Sequence, residues 1–376
     1  MRPLGRFLFM LQGEQEMVRK KEEKRYSITS SPLYGLSSKK KFAELLKIDL
    51  ADLRFLAKFG DSNFKVWSTA QKLVDEVAGL PAKKSRVVQQ PKIVLSVVHR
   101  RIAEYLSRIE RPEFLHSATK GRSYLTNAMV HAWNMPGCKI DIKEFYPSVK
   151  RNLVKSFFEN RLKCTHDVAS FAADLCTYNG ALPTGSAVSP ILSFFACLEM
   201  FERIDLLARQ RDLRFSLYVD DMFFSGDKAD KGMAKSVVDL LSRHGFVGHK
   251  VVCFSANETK LITGVAINGC ETSIPNARQN KMRLFSRALR RERNRERAIL
   301  LAQALVGQFR EAERLQPGTK ARALPFERRL IKLKGAEKKT VSVVRRRRRR
   351  SRPKVLTSTL LRAIALMRAA PKIVNV

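Results

Sequence analysis

Between residues 37 and 58 the apolar positions fall into two short sets with helical spacing: Phe42, Leu45 and Leu46 behind serines able to cap a helix, then Leu50, Leu53 and Leu56. Pro91, at a first-turn position, is expected to open a strong helix in which Ile93, Val94, Val97, Val98, Ile102, Tyr105, Leu106 and Ile109 recur three and four apart. After residue 136 the period switches repeatedly. Cys138 to Ile142 reads as a strand, Leu153 to Leu162 and Val168 to Cys176 as helices, and Pro190 to Ala208 as one long apolar helix. Leu213, Phe215, Leu217 and Val219 alternate with polar neighbours, the period-two signature of a half-buried strand. That strand runs into Asp220-Asp221 and the apolar Met222-Phe223-Phe224 follows at once, which predicts two strands meeting at an acidic turn. A helix over Lys231 to Arg243 and strands around Val251 to Ser255 and Leu261 to Ile267 complete an α+β region. From Asn276 the pattern becomes helical and basic, including the tract Arg290 to Arg297, and a last apolar helix is expected over Leu356 to Met367.

The ends differ from this body. Residues 1–25 are charged and aperiodic, a flexible lead-in within which Met17 is an alternative start. Lys338 to Lys354 is strongly basic, with unbroken arginine from Arg345 to Arg350, and is expected to stay unstructured until bound. The run is either an RNA-binding element or a polybasic tail. No internal repeat is visible.

Composition narrows the function. The 376 residues carry 72 Lys+Arg against 35 Asp+Glu, a formal charge of +37, while 44% hydrophobic residues suffice for two or three compact lobes. Such an excess calls for a polyanionic partner, nucleic acid first and an anionic membrane surface second. No run approaches the length of a membrane span, and Phe7 to Leu11 is too short for a signal-peptide core, so a cytoplasmic location is expected. Six cysteines without a C-x-x-C pair exclude a structural zinc site and predict buried, reduced thiols.

The sharpest chemical feature is Tyr218-Val219-Asp220-Asp221. Adjacent carboxylates at the end of an apolar strand raise each other's pKa unless a cation neutralises them. Asp141 ends another strand. If the two strands lie side by side, Asp141, Asp220 and Asp221 converge, and three carboxylates suit two Mg²⁺ ions (Mn²⁺ as the alternative) roughly 3.5–4 Å apart. Taken alone, the Asp pair fits a solvated turn equally. Between the acidic strands lies Leu182-Pro183-Thr184-Gly185-Ser186-Ala187-Val188-Ser189-Pro190, a small-residue loop whose backbone can approach a base pair or phosphate closely. The order Asp141, loop, Asp220-Asp221 makes a polymerase palm.

In these three segments the chain resembles a reverse transcriptase of the bacterial retron type. Motif A is matched by Asp141-Ile142-Lys143-Glu144-Phe145-Tyr146-Pro147-Ser148-Val149, motif B by the loop from Leu182 to Pro190, and motif C by Tyr218 to Asp221. Asn127-Ala128-Met129-Val130-His131 is similar to the NAxxH signature of retron enzymes and Leu261-Ile262-Thr263-Gly264 to their VTG signature. The resemblance spans about Tyr26 to Asn268. It implies a metal-binding triad of Asp141, Asp220 and Asp221 and a sugar-excluding ring at Tyr146. It also implies nucleotide contacts at Arg86, Thr184, Gly185, Ser186 and Lys250, and RNA recognition through Asn127, Ala128, His131, Thr263 and Gly264. Thr184 stands where many reverse transcriptases have glutamine, and Ile262 departs from the first position of VTG. On the residues alone, Asn127 and His131 lie one helical turn apart and form either a polar ledge for sugar or phosphate or a satisfied core histidine with its neighbour. Gly264 is a close-approach point or a bulge, and Lys250 a pyrophosphate contact or a solvated strand end.

The implied fold is the right-hand polymerase, with N-terminal helices and fingers at 26–135, an antiparallel-sheet palm at 136–275, a helical thumb at 276–337 and the arginine-rich extension at 338–376. The implied activity is RNA-directed DNA synthesis from dNTPs. A cognate structured noncoding RNA would serve as template and primer, and the product would be a branched RNA-linked DNA, in antiphage defence with an effector protein. The rivals are another bacterial reverse transcriptase, such as a group II intron maturase, and a noncatalytic RNA-binding protein on a palm scaffold. The first lacks its expected Cys/His cluster here, and the second has no need of three costly carboxylates.

Overall fold

The computed structural model describes residues 25–82 and 84–341, with side chains as far as residue 335. Most of the expected lead-in, Lys83, the arginine run at 345–350 and the helix expected over 356–367 lie outside the described residues. The chain is a mixture of helix and antiparallel sheet. β1 (Phe64–Ser68) pairs with β2 (Val87–Pro91). β3 (Gly137–Ile142), β4 (Arg214–Tyr218), β5 (Asp221–Ser225) and β6 (Gly248–Phe254) form a four-stranded sheet in the order β4-β5-β3-β6. β7 (Lys260–Ile262), β8 (Val265–Asn268) and β9 (Glu271–Ser273) form a three-stranded one.

Alternation sets the two faces of the central sheet. Cys138, Ile140, Phe215, Leu217, Met222 and Phe224 point into the main core, which reaches from Leu33 to Phe246. On the other face, register places Gly137 opposite Ser225, Lys139 opposite Phe223 and Asp141 opposite Asp221, with Arg214, Ser216 and Tyr218 completing it. Gly137 is required there, because a Cβ would stand 2.8 Å from the Phe223 ring and 3.1 Å from the Phe224 carbonyl oxygen. A second core joins Met282, Phe285 and Leu289 to Leu301, Leu305 and Phe309, on the apolar faces of the basic helices. A third, small core of Ala128, Phe223, Ile262, Val265 and Leu315 ties the two sheets together.

The helices Lys39–Leu45 and Leu50–Phe59 form where expected, capped by the Ser38 and Asp49 side chains, and Lys231–Arg243 starts on an Asp230 cap. Elsewhere the pattern misleads. Pro91 closes β2 instead of opening the helix Ile93–Ser107, whose first turn follows Lys92. The apolar run from Pro190 is two helices, Ser189–Ala196 and Leu198–Arg209, broken at Cys197 so that Phe194 stacks on Phe201 at 5.9 Å between ring centroids. The expected strand over Leu261 to Ile267 is a hairpin, turned by Thr263 and Gly264 at φ of 46° and 81°. Arg290 to Arg297 spans the joint between helices Asn276–Arg291 and Arg295–Ala312, where the Asn294 side chain caps the second by accepting from the Arg297 N–H. All six cysteines are free, as expected, although Cys270 is exposed and Cys138 meets Cys253 directly across β3 and β6. Among the described residues no helix is long and apolar enough to cross a membrane.

Candidate active site

The β4–β5 hairpin turns at Val219 and Asp220. Val219 has φ of 62°, a left-handed conformation that a β-branched residue adopts only when its surroundings enforce it. They do so through the segment Phe114 to Ser117. The Ser117 hydroxyl accepts from the Val219 N–H at 3.0 Å, the Leu217 N–H donates to the Phe114 carbonyl at 2.7 Å, and the Leu217 carbonyl accepts from the His116 N–H at 2.9 Å. On the far side the Ile142 N–H donates to the Asp220 carbonyl at 3.1 Å. The turn is thereby held between β3 and the segment that flanks β4.

This places Asp141 beside Asp221, with Asp220 at the turn. Burial and then the neighbouring Asp141 push the Asp220 carboxyl up to about 6. Burial also raises Asp221, against the pull of Lys139, whose Nζ lies 2.8 Å from its carboxylate. Asp141 pairs with Lys250 at 2.8 Å, and the His249 Nδ1 lies 3.3 Å from the same carboxylate without a hydrogen bond to it. Hard carboxylate oxygens brought together at a charge cost are the donors that Mg²⁺ prefers, so the residue types fit such an ion. As the side chains stand, Asp141 and Asp221 are turned toward lysines, and among the described residues no group of three ligands is arranged around a metal position. Lys139 and His249 escaped the sequence reading. The first had a signal, two residues before Asp141 and thus on its face. His249 had none, because β6 begins three residues earlier than its apolar pattern.

Tyr146 lies half-buried near the acids, its hydroxyl pushed up to about 12 by burial and then by Asp220. The loop from Leu182 to Pro190 docks on β2. The Gly185 N–H donates to the Gln89 carbonyl at 3.1 Å and the Thr184 N–H to the Gln89 side chain at 3.1 Å, so these amides are spent on β2. A Cβ at Gly185 would stand 2.7 Å from the Gln89 carbonyl oxygen; the small residue serves a close approach between chain segments. The Ser186 hydroxyl is buried and bonded to His99 at 2.6 Å. Arg86 is exposed just before β2, next to the strand that holds Thr184.

Three carboxylates thus meet at the end of β3 and the β4–β5 turn, with a docked loop between them in sequence. The chain is 32% identical over 183 residues to the retron Se72 reverse transcriptase of Salmonella heidelberg, covering 47% of this chain and 46% of that one. It is 24% identical over 242 residues to the retron Ec86 reverse transcriptase of Escherichia coli, covering 63% and 73%. With the retron Mx162 reverse transcriptase of Myxococcus xanthus it shares 26% over 278 residues, covering 65% and 56%. It is a relative of the retron reverse transcriptases. No protein-family model matches the chain, and its match spans about half the length of the first of these relatives.

The two retron-like signatures behave differently from the ledge that helical spacing suggests. Asn127, Ala128 and His131 are all at 0% exposure. His131 is bonded to two serines of the central sheet, Ser225 at 2.7 Å and Ser216 at 2.8 Å. The Asn127 amide has no hydrogen-bond partner among the described residues. The ledge is corrected to a core histidine and a buried asparagine, because the helix Tyr124–Met129 turns this face onto the sheet. Thr263 donates to the Tyr124 carbonyl at 2.8 Å, anchoring that helix to the β7–β8 turn. Thr263 and Gly264 line a surface cleft of about 480 Å³ with Tyr124, Arg278 and Glu311.

Proposed function

We propose that this protein is an RNA-directed DNA polymerase of the retron type. It copies a cognate structured noncoding RNA into branched, RNA-linked single-stranded DNA, in the cytoplasm and in antiphage defence with an effector protein. The observation that carries this is the register of Asp141 against Asp221 with Asp220 at the adjoining turn, in a chain related to retron reverse transcriptases. The fold is read as a right hand, with the four-stranded sheet as palm, β1 and β2 with the preceding helices as fingers, and the helices from Asn276 onward as thumb.

Asp141, Asp220 and Asp221 would hold two Mg²⁺ ions, which supply the activated sugar hydroxyl and the stabilised leaving group of phosphoryl transfer. The pairing with Lys139 and Lys250 keeps the acids neutralised beforehand. Lys250, 65% exposed at its side chain, swings from Asp141 toward the departing pyrophosphate. Tyr146, next to Asp220, excludes a 2′-hydroxyl, and Arg86 meets the incoming triphosphate from the start of β2. The cleft at Thr263 and Gly264 receives the RNA, with the basic thumb around it, so affinity falls steeply with salt.

The test is primer extension by the intact protein on an RNA template with a DNA primer, dNTPs and Mg²⁺. Incorporation by the native chain, abolished in Asp220→Asn, supports the assignment. Absence of incorporation on this substrate and on the RNA transcribed beside the gene overturns it.

A further inference from the structure

His131 lies on the same sheet face as the acids. Ser216 on β4 is opposite Phe223 on β5, and Ser225 follows two residues later, so the two hydroxyls are diagonal neighbours across the hairpin. The imidazole spans that diagonal, with Nδ1 on Ser225 at 2.7 Å and Nε2 on Ser216 at 2.8 Å, and its ring packs on Phe223 at 4.7 Å between centroids. All three polar groups are buried and none is left over. A neutral imidazole has one donor and one acceptor nitrogen, and hydroxyls rotate to match either, so the bridge closes without charge. Phe223 is in turn two residues from Asp221, about 7 Å along the strand.

The bridge falls where the hairpin needs it. Among the described residues β4 has β5 as its one strand partner, and the segment Phe114 to Ser117 flanks its other edge near the turn. Beyond that flanking segment, toward Arg214, the ladder to β5 is the backbone hold on β4, and a side chain bonded to both strands resists shear directly. Sliding would carry the strained turn at Val219 and the carboxylates beside it. The helix Tyr124–Met129 that leads to His131 is itself tied to the β7–β8 turn through Thr263 and, through the Tyr124 hydroxyl, to Glu311 of the helix Arg295–Ala312.

We propose that His131 is a positioning residue of the active site, a cross-brace that fixes the β4–β5 hairpin so that Asp220 and Asp221 meet Asp141, and not a contact for RNA. This rests on the polymerase assignment above, but its test separates the two.

The full-length protein would be compared with Ser216→Ala/Ser225→Ala, with His131→Gln and with the triple variant that adds His131→Ala to the serine pair. Each is assayed well below its own melting temperature on a generic primer-template. Loss of the brace should lower kcat about 10- to 100-fold, the scale of an ångström's misplacement at a reacting centre, with KM for dNTP and RNA affinity nearly unchanged. The triple variant should be no more than about twofold worse than the serine pair, since all three groups act as one unit. Amide exchange at Tyr218 and Phe223, whose N–H groups point across the hairpin, should quicken in every variant, and His131→Gln, which keeps one donor and one acceptor, should recover part of the rate. If a variant fails to fold, the single Ser225→Ala change carries the same comparison. A kcat within about twofold of the native value, unchanged exchange, or a loss confined to RNA affinity would overturn the brace. If the native protein extends no primer, the polymerase assignment fails instead, and the exchange data still decide whether the brace exists.

Discussion

At one end of a single sheet face stand Asp141, Asp220 and Asp221; at the other, two pleats away, stand His131, Ser216 and Ser225. The acid end holds like charges together in partial burial, with one carboxyl pushed up to about 6 and lysines brought in as counter-ions. The histidine end is fully buried, uncharged and bonded at every polar atom. The same two strands therefore carry a cluster that gains from a new cation and a cluster that gains from nothing further. Electrostatic discomfort marks where chemistry is expected, and satisfied polarity marks what holds it in place.

The contrast can be broken most severely at the acid end. Asp220→Asn with Asp221→Asn should lower DNA synthesis at least about a thousandfold, while the thermal midpoint stays level or rises because repulsion has been removed. Calorimetry showing a large fall in midpoint alongside lost activity would mean that the acids were structural.

Acid should stress the opposite end. Burial holds His131 down to about 3 and His99 to about 4, below the unfolded value of 6.5, so the unfolded chain binds the extra protons. Stability is fully present above pH 6.5 and drains as pH falls toward 4, by up to about 1.4 kcal/mol per pH unit for each histidine. Urea titrations from pH 7 to 4.5 should show this slope, and His131→Gln, which takes up no proton, should flatten it. A slope unchanged in that variant would place the charging elsewhere.

A smaller effect sharpens the boundary of the acid end. Tyr146→Ala should raise ribonucleotide incorporation relative to deoxynucleotide at least about tenfold, since one aromatic ring supplies the exclusion. Competition between rATP and dATP reads it directly, and an unaltered ratio removes Tyr146 from the site. Smallest is Val219→Gly, which releases the left-handed strain at the turn and should gain about 1 kcal/mol after glycine's entropy cost. No gain in the melting temperature would show that the turn is unstrained.

Much of the acid end was legible in the chain. Strict alternation up to Asp220-Asp221 and the apolar run that follows at Met222 specify a hairpin, and a lone Asp141 after Ile140 suggests its neighbour. The histidine end was not. His131 finds its partners 85 and 94 residues away, and no local period encodes a contact of that span. Helical spacing suggested a shared face for Asn127 and His131, but the helix ends at Met129, and spacing does not say whether a side chain meets water or a sheet. The small residues at Gly185 and Ser186 were visible as a tight loop, while the body they approach, β2, lies almost a hundred residues earlier. The continuous apolar run from Pro190 hid a break, since apolarity alone does not register the bend at Cys197 that lets two phenylalanines stack.

The place of β3 has a consequence for how the protein is made. It is the first of the four sheet strands to leave the ribosome and the one that must lie in the middle, between β5 and β6. Its outer partner, β6, begins at Gly248, more than a hundred residues after β3 ends at Ile142. At synthesis rates of about 5–20 residues per second, β3 waits roughly 4–16 s with both edges open until β5 is made at Asp221, and roughly 5–20 s before β6 can cover its other edge. During that interval Cys138, Ile140 and Ile142 have no sheet to enter, so the nascent chain passes through a stage in which its most central strand is also its most adhesive. The carboxylates on β3 and on the β4–β5 hairpin are thus brought together only after about eighty further residues have been added.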